Sequence, residues 1–412
     1  MFFDFGGFLL EKAAQAEEMC EAAFKRFDAT ARYNTEKTLN AFINNRVSER
    51  HLQGTTGYGY GDEGRDTLDK VFAEIMGAEA ALVRHNFING THALTVALFG
   101  VLRPGDRLVS AAGEPYDTLK AVIGGGGGSL REYGVSYGEI APSPDGTPDL
   151  KAIGRGVKNC KAVFIQRSRG YGLRPSITVE GISGIVKTVR DANPGAVIIV
   201  DNCYGEFAER AEPADADLIA GSLIKNPGGG IAETGGYIAG KADLVELCAC
   251  RLTAPGIGAK AGCSLNQNRP MYAGLFRAPE TVASALKTSA FAIALMELLG
   301  YRCSPGYDDY RTDIVATVKL GGERELRAFC EGIQAGGPID SFAKPEPWDM
   351  PGYRDKVIMA AGAFTQGSSI ELSADAPLRE PWAVWLQGGA SFAAGRIGVL
   401  TAAKRLLDIK GF

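Results

Sequence analysis

Histidine is almost missing from this chain. His51, His85 and His92 are the only three in 412 residues, too few and too scattered for a His-rich metal site, and no zinc-type spacing accompanies them. Metal catalysis is not expected. Cys-x-x-Cys pairs are absent too: the eight cysteines are Cys20, Cys160, Cys203, Cys248, Cys250, Cys263, Cys303 and Cys330, and secreted disulfide frameworks belong to much shorter chains. Free, buried thiols in a reducing cytosol are the expectation. No apolar run reaches the roughly 20 residues of a membrane helix. The nearest, Val282 to Leu299, is broken by Lys287, Thr288, Ser289 and Glu297 and predicts a core or interface helix. The start, Met1-Phe2-Phe3-Asp4-Phe5, has no basic segment before its apolar residues and is interrupted by Asp4, Glu11, Glu17 and Glu18, so no signal peptide is read. Charge of one sign is nowhere concentrated: 44 Lys and Arg face 48 Asp and Glu, for a net charge of -4. That argues against a nucleic-acid or anionic-membrane surface and for a small-molecule partner.

What is present is enough apolar residue, 45% of the chain, for one large core and a smaller satellite domain. From about residue 56, helix-period stretches alternate with short apolar strands, the signature of a mostly parallel sheet covered on both faces. Strands are predicted at Ala80–Arg84, Arg107–Ala111, Ala162–Gln166, Val197–Asp201, Leu218–Ser222 and Gly236–Ala239. Helices are predicted at Arg65–Met76, Thr91–Val101, Tyr116–Ile123 and Ile182–Asp191, the last stopped by Asn193-Pro194-Gly195. The five glycines Gly124–Gly128 read as a flexible turn, because no strand leads into them and no Lys-Ser or Lys-Thr follows. Beyond the long helix near 281–299 the texture becomes polar and rich in turns, which places a boundary near 300. The C-terminal part, with strands Lys356–Ala361 and Ser369–Leu372 and a helix Ala390–Asp408, reads as a smaller α+β domain. Three segments result: a helical 1–55, a large domain 56–300 and a small domain 301–412.

The chemistry concentrates at strand ends. Val197–Asp201 is an apolar strand ending in a carboxylate, and open α/β sheets bind ligands at their carboxyl edge. Asp201 therefore points at a site, with a cap or turn role for Asn202-Cys203-Tyr204-Gly205 as the alternative. Twenty-four residues after Asp201 comes Lys225, behind a second apolar strand and ahead of Asn226-Pro227-Gly228-Gly229-Gly230. A lysine there either snorkels to solvent or has a task, and desolvation would lower its pKa to give the free amine that Schiff-base chemistry needs. Pyridoxal 5′-phosphate (PLP) calls for such a lysine and for a carboxylate facing its pyridinium nitrogen, and Lys225 with Asp201 supplies both. A phosphate cradle fits Asn89-Gly90-Thr91-His92, where a loop enters an apolar helix with a hydroxyl at its start, and Ser222 is a second phosphate candidate. Tyr116 would cover the ring face. The loop Gly54–Asp62, with Tyr58 and Tyr60, is too aromatic and flexible for a plain connector.

Taken together, Tyr58-Gly59-Tyr60, Gly90-Thr91-His92, Pro115-Tyr116-Asp117, the strand-end Asp201 and Ser222-Leu223-Ile224-Lys225-Asn226-Pro227 resemble the fold-type I PLP enzymes of cysteine and methionine metabolism. The resemblance is strongest to the branch called aluminium-resistance or methionine γ-lyase-like proteins. It runs from Gly54 to the C-terminus and includes Gln166–Tyr171 and Thr365–Leu372. It implies an α/β, PLP-dependent transferase-like fold, with the small domain packed on the N-terminal segment and the chain acting as a cytoplasmic homodimer or homotetramer. By the same resemblance His92 joins the cofactor site and the loop of Tyr58 and Tyr60 reaches a neighbouring subunit. Tyr60, and less directly Arg65, would meet that subunit's phosphate, and Tyr58 would meet substrate. An arginine of the small domain would bind the substrate carboxylate: Arg379 is the nearest match, with Arg396, Arg167 and Arg169 as competitors. Two departures stand out: the family's Tyr-x-Arg is not reproduced, and Ser222 precedes the lysine by three residues where the family has two. The implied activity is a carbon–sulfur lyase on a sulfur amino acid, of cystathionine β-lyase or methionine γ-lyase type. An aminotransferase, an aldolase or a non-catalytic PLP-binding stress-response protein is the alternative.

Overall fold

A computed structural model describes residues 3–411, so Met1 and Phe2 of the apolar start lie outside the described residues. The chain divides into two compact units, residues 34–277 and residues 1–33 with 278–412. Both divisions fall inside continuous helices, α1 (Gly6–Asn44) and α8 (Asn268–Leu298), rather than at the expected 55 and 300. A helix that runs on without a break leaves no linker signal in the sequence.

The unit 34–277 is built on a seven-stranded sheet in the order β1-β7-β6-β5-β4-β2-β3. These strands are β1 (Ala80–Arg84), β2 (Arg107–Ser110), β3 (Ser136–Glu139), β4 (Ala162–Gln166), β5 (Val197–Asp201), β6 (Leu218–Ser222) and β7 (Gly236–Gly240). Only β7 runs against the other six. Strands β4, β5 and β6 are buried along their whole length, as strands covered on both faces must be, and this makes their apolar runs conspicuous in the sequence. Edge strand β3, Ser-Tyr-Gly-Glu, is polar and half-exposed, and its composition gave no strand signal.

Several helices of this unit begin where a side chain caps their N-terminus. In α2 (Glu63–Met76) Asp62 accepts the Arg65 amide at 2.8 Å, and Gly77 closes the helix in the left-handed conformation at φ 70°. In α3 (Gly90–Val101) Asn89 accepts the His92 amide at 2.8 Å. In α6 (Val179–Ala192) Thr178 accepts the Gly181 amide at 2.9 Å. The expected helix 116–123 is corrected: α4 covers only Asp117–Lys120 and widens into a π-type turn over Ala121–Gly125. The glycines there offer no side chains to hold regular helix packing. Helices α5 (Leu150–Gly156) and α7 (Ala242–Leu252) complete the unit.

The second unit carries an antiparallel sheet in the order β10-β11-β12-β9-β8. Its strands are β8 (Arg302–Ser304), β9 (Ala316–Lys319), β10 (Val357–Ala360), β11 (Ser373–Pro377) and β12 (Ala383–Gln387), and its helices are α9 (Glu323–Ala335) and α10 (Phe392–Lys410). The expected strand Ser369–Leu372 is a turn, and the strand begins four residues later. Ile370 is wholly buried, which mimics a strand, whereas β11 itself is small and polar and hides its buried Asp375, whose carboxylate accepts from Gln387 Nε2 at 2.8 Å. The early part of α1 belongs to this unit, with Phe24 against Phe392 at 5.1 Å and Arg396 paired with Glu17. Among the described residues α8 is the helix long and apolar enough to cross a membrane, and 78% of its most apolar window is buried within the protein. All eight cysteines are free, five of them buried and Cys250, Cys263 and Cys303 partly exposed.

Candidate active site

The carboxyl ends of β5 and β6 are neighbours, with Asp201 in register with Ala220. Asp201, the last residue of β5, is buried and accepts the Cys203 amide at 3.1 Å. Burial raises its pKa, opposed chiefly by the positive charge of Lys225. Lys225 follows β6 and sets its Nζ 3.9 Å from the ring centroid of Tyr204. Burial works to lower the lysine pKa, but the negative charge that Cys203, Tyr204 and Asp201 can carry outweighs it, and the result lies well above the ordinary lysine value. This corrects the expectation that desolvation alone would free the amine.

The start of α3 meets the same place. A Cβ on Gly90 would stand 3.0 Å from Cys203 Sγ, a tight approach, and 3.5 Å from Ser222 Cβ, an ordinary contact, so the helix N-terminus packs closely on both strand ends. Thr91 Oγ1 lies 3.1 Å from the Tyr116 hydroxyl and 3.0 Å from Thr118 Oγ1. The Tyr116 amide donates to Gln166 Oε1 at 2.9 Å, and Gln166 Nε2 donates to the Ser168 carbonyl, which pins the tyrosine to the end of β4. Burial, then the charges of Asp201 and Cys203, push the Tyr116 phenol well above its usual range. Asp201, Lys225, Tyr116, Thr91, Gly90 and Ser222 are thus brought together. The Ser222 hydroxyl makes a long 3.5 Å hydrogen bond to the Gly235 carbonyl.

Other sequence-predicted residues make contacts of their own. His92 Nδ1 accepts the Ile88 amide at 3.2 Å and its ring meets Phe87 edge-on, so the imidazole is turned into its own entry loop. Tyr58 and Tyr60 are 76% and 70% exposed and stack on each other at 5.4 Å. Arg65 is buried and fastens their loop by donating to the carbonyls of Gly59 at 2.9 Å and Gly262 at 2.7 Å. Arg379 lies in the other unit, half-exposed and paired with Asp355 at 2.7 Å. Arg167 is fully buried and braces Asn202 at 2.6 Å and Glu209 at 2.9 Å, which removes it as a contender for substrate.

Sequence reasoning missed Cys203, Tyr204 and Gln166. The first two come just after Asp201-Asn202, where they read as turn residues, and Gln166 ends a strand with a side chain that gives no chemical signal of its own.

A lysine and a carboxylate at adjacent strand ends of a mostly parallel sheet, beside a glycine-led helix N-terminus, define the architecture of the fold-type I PLP enzymes. The chain belongs to the methionine gamma-lyase family, whose model matches residues 9–407. It is 44% identical over 410 residues to the uncharacterized protein YnbB of Bacillus subtilis, covering 98% of this chain and 97% of that one. Two solved structures are also similar. A carbon-sulfur lyase involved in aluminium resistance from Clostridium novyi NT is 48% identical with a TM-score of 0.93, covering 97% of this chain and 96% of its own. A Clostridium acetobutylicum protein, provisionally named a cystathionine beta-lyase involved in aluminium resistance, is 47% identical with a TM-score of 0.95, covering 98% and 96%.

Proposed function

We propose that this chain is a PLP-dependent carbon–sulfur lyase that cleaves a sulfur amino acid such as cystathionine, cysteine or methionine into a 2-oxo acid, ammonia and a thiol. The observation that carries the reading is the convergence of Lys225 and the buried Asp201 at adjacent strand ends. The residues fit the cofactor: an amine for its aldehyde, a carboxylate for its ring nitrogen, the Gly90–Thr91 helix start for its phosphate and the Tyr116 ring for its face. The narrow approach at Gly90 is the kind of bare backbone that phosphate oxygens need. The names of the relatives support the carbon–sulfur bond as the target.

Bound PLP supplies an electron sink for the charge left when the substrate Cα loses its proton. Asp201, fixed by the Cys203 amide, keeps a proton on the ring nitrogen. Lys225, the amine that would hold the cofactor, would also serve as the general base for the Cα proton. Tyr116, anchored through Gln166 and Thr91, stays protonated and holds the reacting groups flat. The exposed Tyr58–Tyr60 pair reaches a second copy in a homodimer or larger homo-oligomer. Eight free cysteines suit a cytoplasmic setting.

Incubation of the holoenzyme with cystathionine, cysteine and methionine tests the reading. Pyruvate or 2-oxobutyrate with equimolar ammonia and thiol is expected. Amino transfer to an added keto acid, aldehyde formation or no turnover at all would overturn it.

A further inference from the structure

Tyr204 holds φ at 73°, the left-handed region that a bulky residue adopts only when its surroundings over-determine it. Its ring meets Lys225 Nζ at 3.9 Å from the centroid, within cation–π range, and its hydroxyl hydrogen-bonds the same amine. Asn226, directly after the lysine, donates its Nδ2 to the carbonyls of Tyr204 and Glu206, both at 2.9 Å. The two chain segments are therefore tied together on either side of the contact. The ionisable groups facing Nζ are Asp201 from the end of β5, Cys203 and Tyr204 from the turn behind it, and Tyr116 from the segment after β2.

We propose that Tyr204 is a positioning residue for Lys225, its ring face holding the amine beside Asp201 whenever that amine is not covalently engaged. A four-carbon side chain otherwise disperses among rotamers, and the ring limits that freedom where the amine must form and re-form its bond. The contact is strongest toward the ammonium and leaves the amine available as its proton departs. The proposal takes its catalytic meaning from Lys225 as the cofactor lysine, whereas its test needs no cofactor.

The test is competitive acetylation of Lys225 in cofactor-free protein from pH 7 to 11, read by peptide mass spectrometry. Tyr204→Phe keeps the ring. Tyr204→Asn removes it with a residue that tolerates left-handed backbone, and Tyr204→Gly, which removes ring and strain alike, is a second ring-free variant. Both ring-free variants should label on the order of tenfold faster at pH 8, with the profile moved down by about one unit, and Tyr204→Phe, which gives up the phenol's hydrogen bond but keeps the ring, should move clearly less than either. Capture of added PLP, followed by visible absorbance, should slow in the ring-free variants. Wild-type profiles in Tyr204→Asn and Tyr204→Gly, or a full shift in Tyr204→Phe, would overturn the proposal. Either result leaves the lyase reading standing, and absence of lyase products in the wild type leaves the labelling result standing.

Discussion

Tyr237 donates its hydroxyl to Glu206 Oε1 at 2.8 Å in a fully buried pair beneath the Lys225 loop. Burial pushes the Glu206 carboxyl up to about 8, so the folded protein keeps it protonated where the unfolded chain has already ionised it. The folded state then binds more protons than the unfolded state between the two pKa values, and stability falls as pH rises from about 4.5 toward 8. Glu206→Gln keeps an acceptor for Tyr237 and removes the proton. Denaturant titrations should show the wild type losing about 3–4 kcal/mol between pH 5 and pH 8 relative to Glu206→Gln. Parallel curves for the two proteins would show that Glu206 does not titrate in this way.

Lys225→Ala should lose the visible absorbance of covalently held cofactor and all lyase products. Borohydride treatment followed by peptide mapping should place the pyridoxyl group on residue 225 in the wild type and on no lysine in the variant. Trapping at another lysine would move the assignment.

Asp201→Asn preserves size and removes the charge. On the proposed reading the carboxylate would act on the ring nitrogen and not on attachment, so cofactor should still bind while kcat falls by about 10²-fold or more. Unchanged turnover would deny Asp201 its electrostatic role.

These assignments were legible because the strands that carry them are buried on both faces. β4, β5 and β6 are apolar throughout and end abruptly in Gln166, Asp201 and Ser222, so the pattern marks the position of the site as well as the fold. What escaped notice lies in turns. The orientation of Tyr204 depends on a positive φ, and the nearness of Cys203 to Gly90 depends on how β5 packs against α3. Neither relation has a periodicity. β11 was missed for the opposite reason, since Ser-Ala-Asp-Ala-Pro buries small and polar residues and the sequence displays no apolar alternation.

The exposed Tyr58–Tyr60 stack should have a consequence at a distance. Tyr60→Ala leaves the folded chain without a buried contact to lose, so thermal stability of the cofactor-free protein should change by less than about 0.5 kcal/mol. If the pair reaches a second copy's phosphate, PLP affinity should drop and the oligomer should weaken in sedimentation. Unchanged cofactor affinity would confine the stack to a surface role.

Two glycines separate the demands of the site from those of the helices. Gly184 lies within α6, and a Cβ there would meet nothing within 4 Å. Gly184→Ala should therefore stabilise the protein by about 0.5–1 kcal/mol, through the lower entropy of its unfolded chain, with PLP affinity unchanged. Gly90 also takes helical conformation, yet its Cβ would press on Cys203 Sγ at 3.0 Å. Gly90→Ala should forfeit the helical gain and, if the α3 N-terminus is the phosphate cradle, weaken PLP binding by about tenfold. Cys203→Ser in the Gly90→Ala background shortens the opposing side chain and should recover part of the stability but little of the affinity. If cofactor affinity in Gly90→Ala matched that of Gly184→Ala, the α3 N-terminus would not be the phosphate cradle.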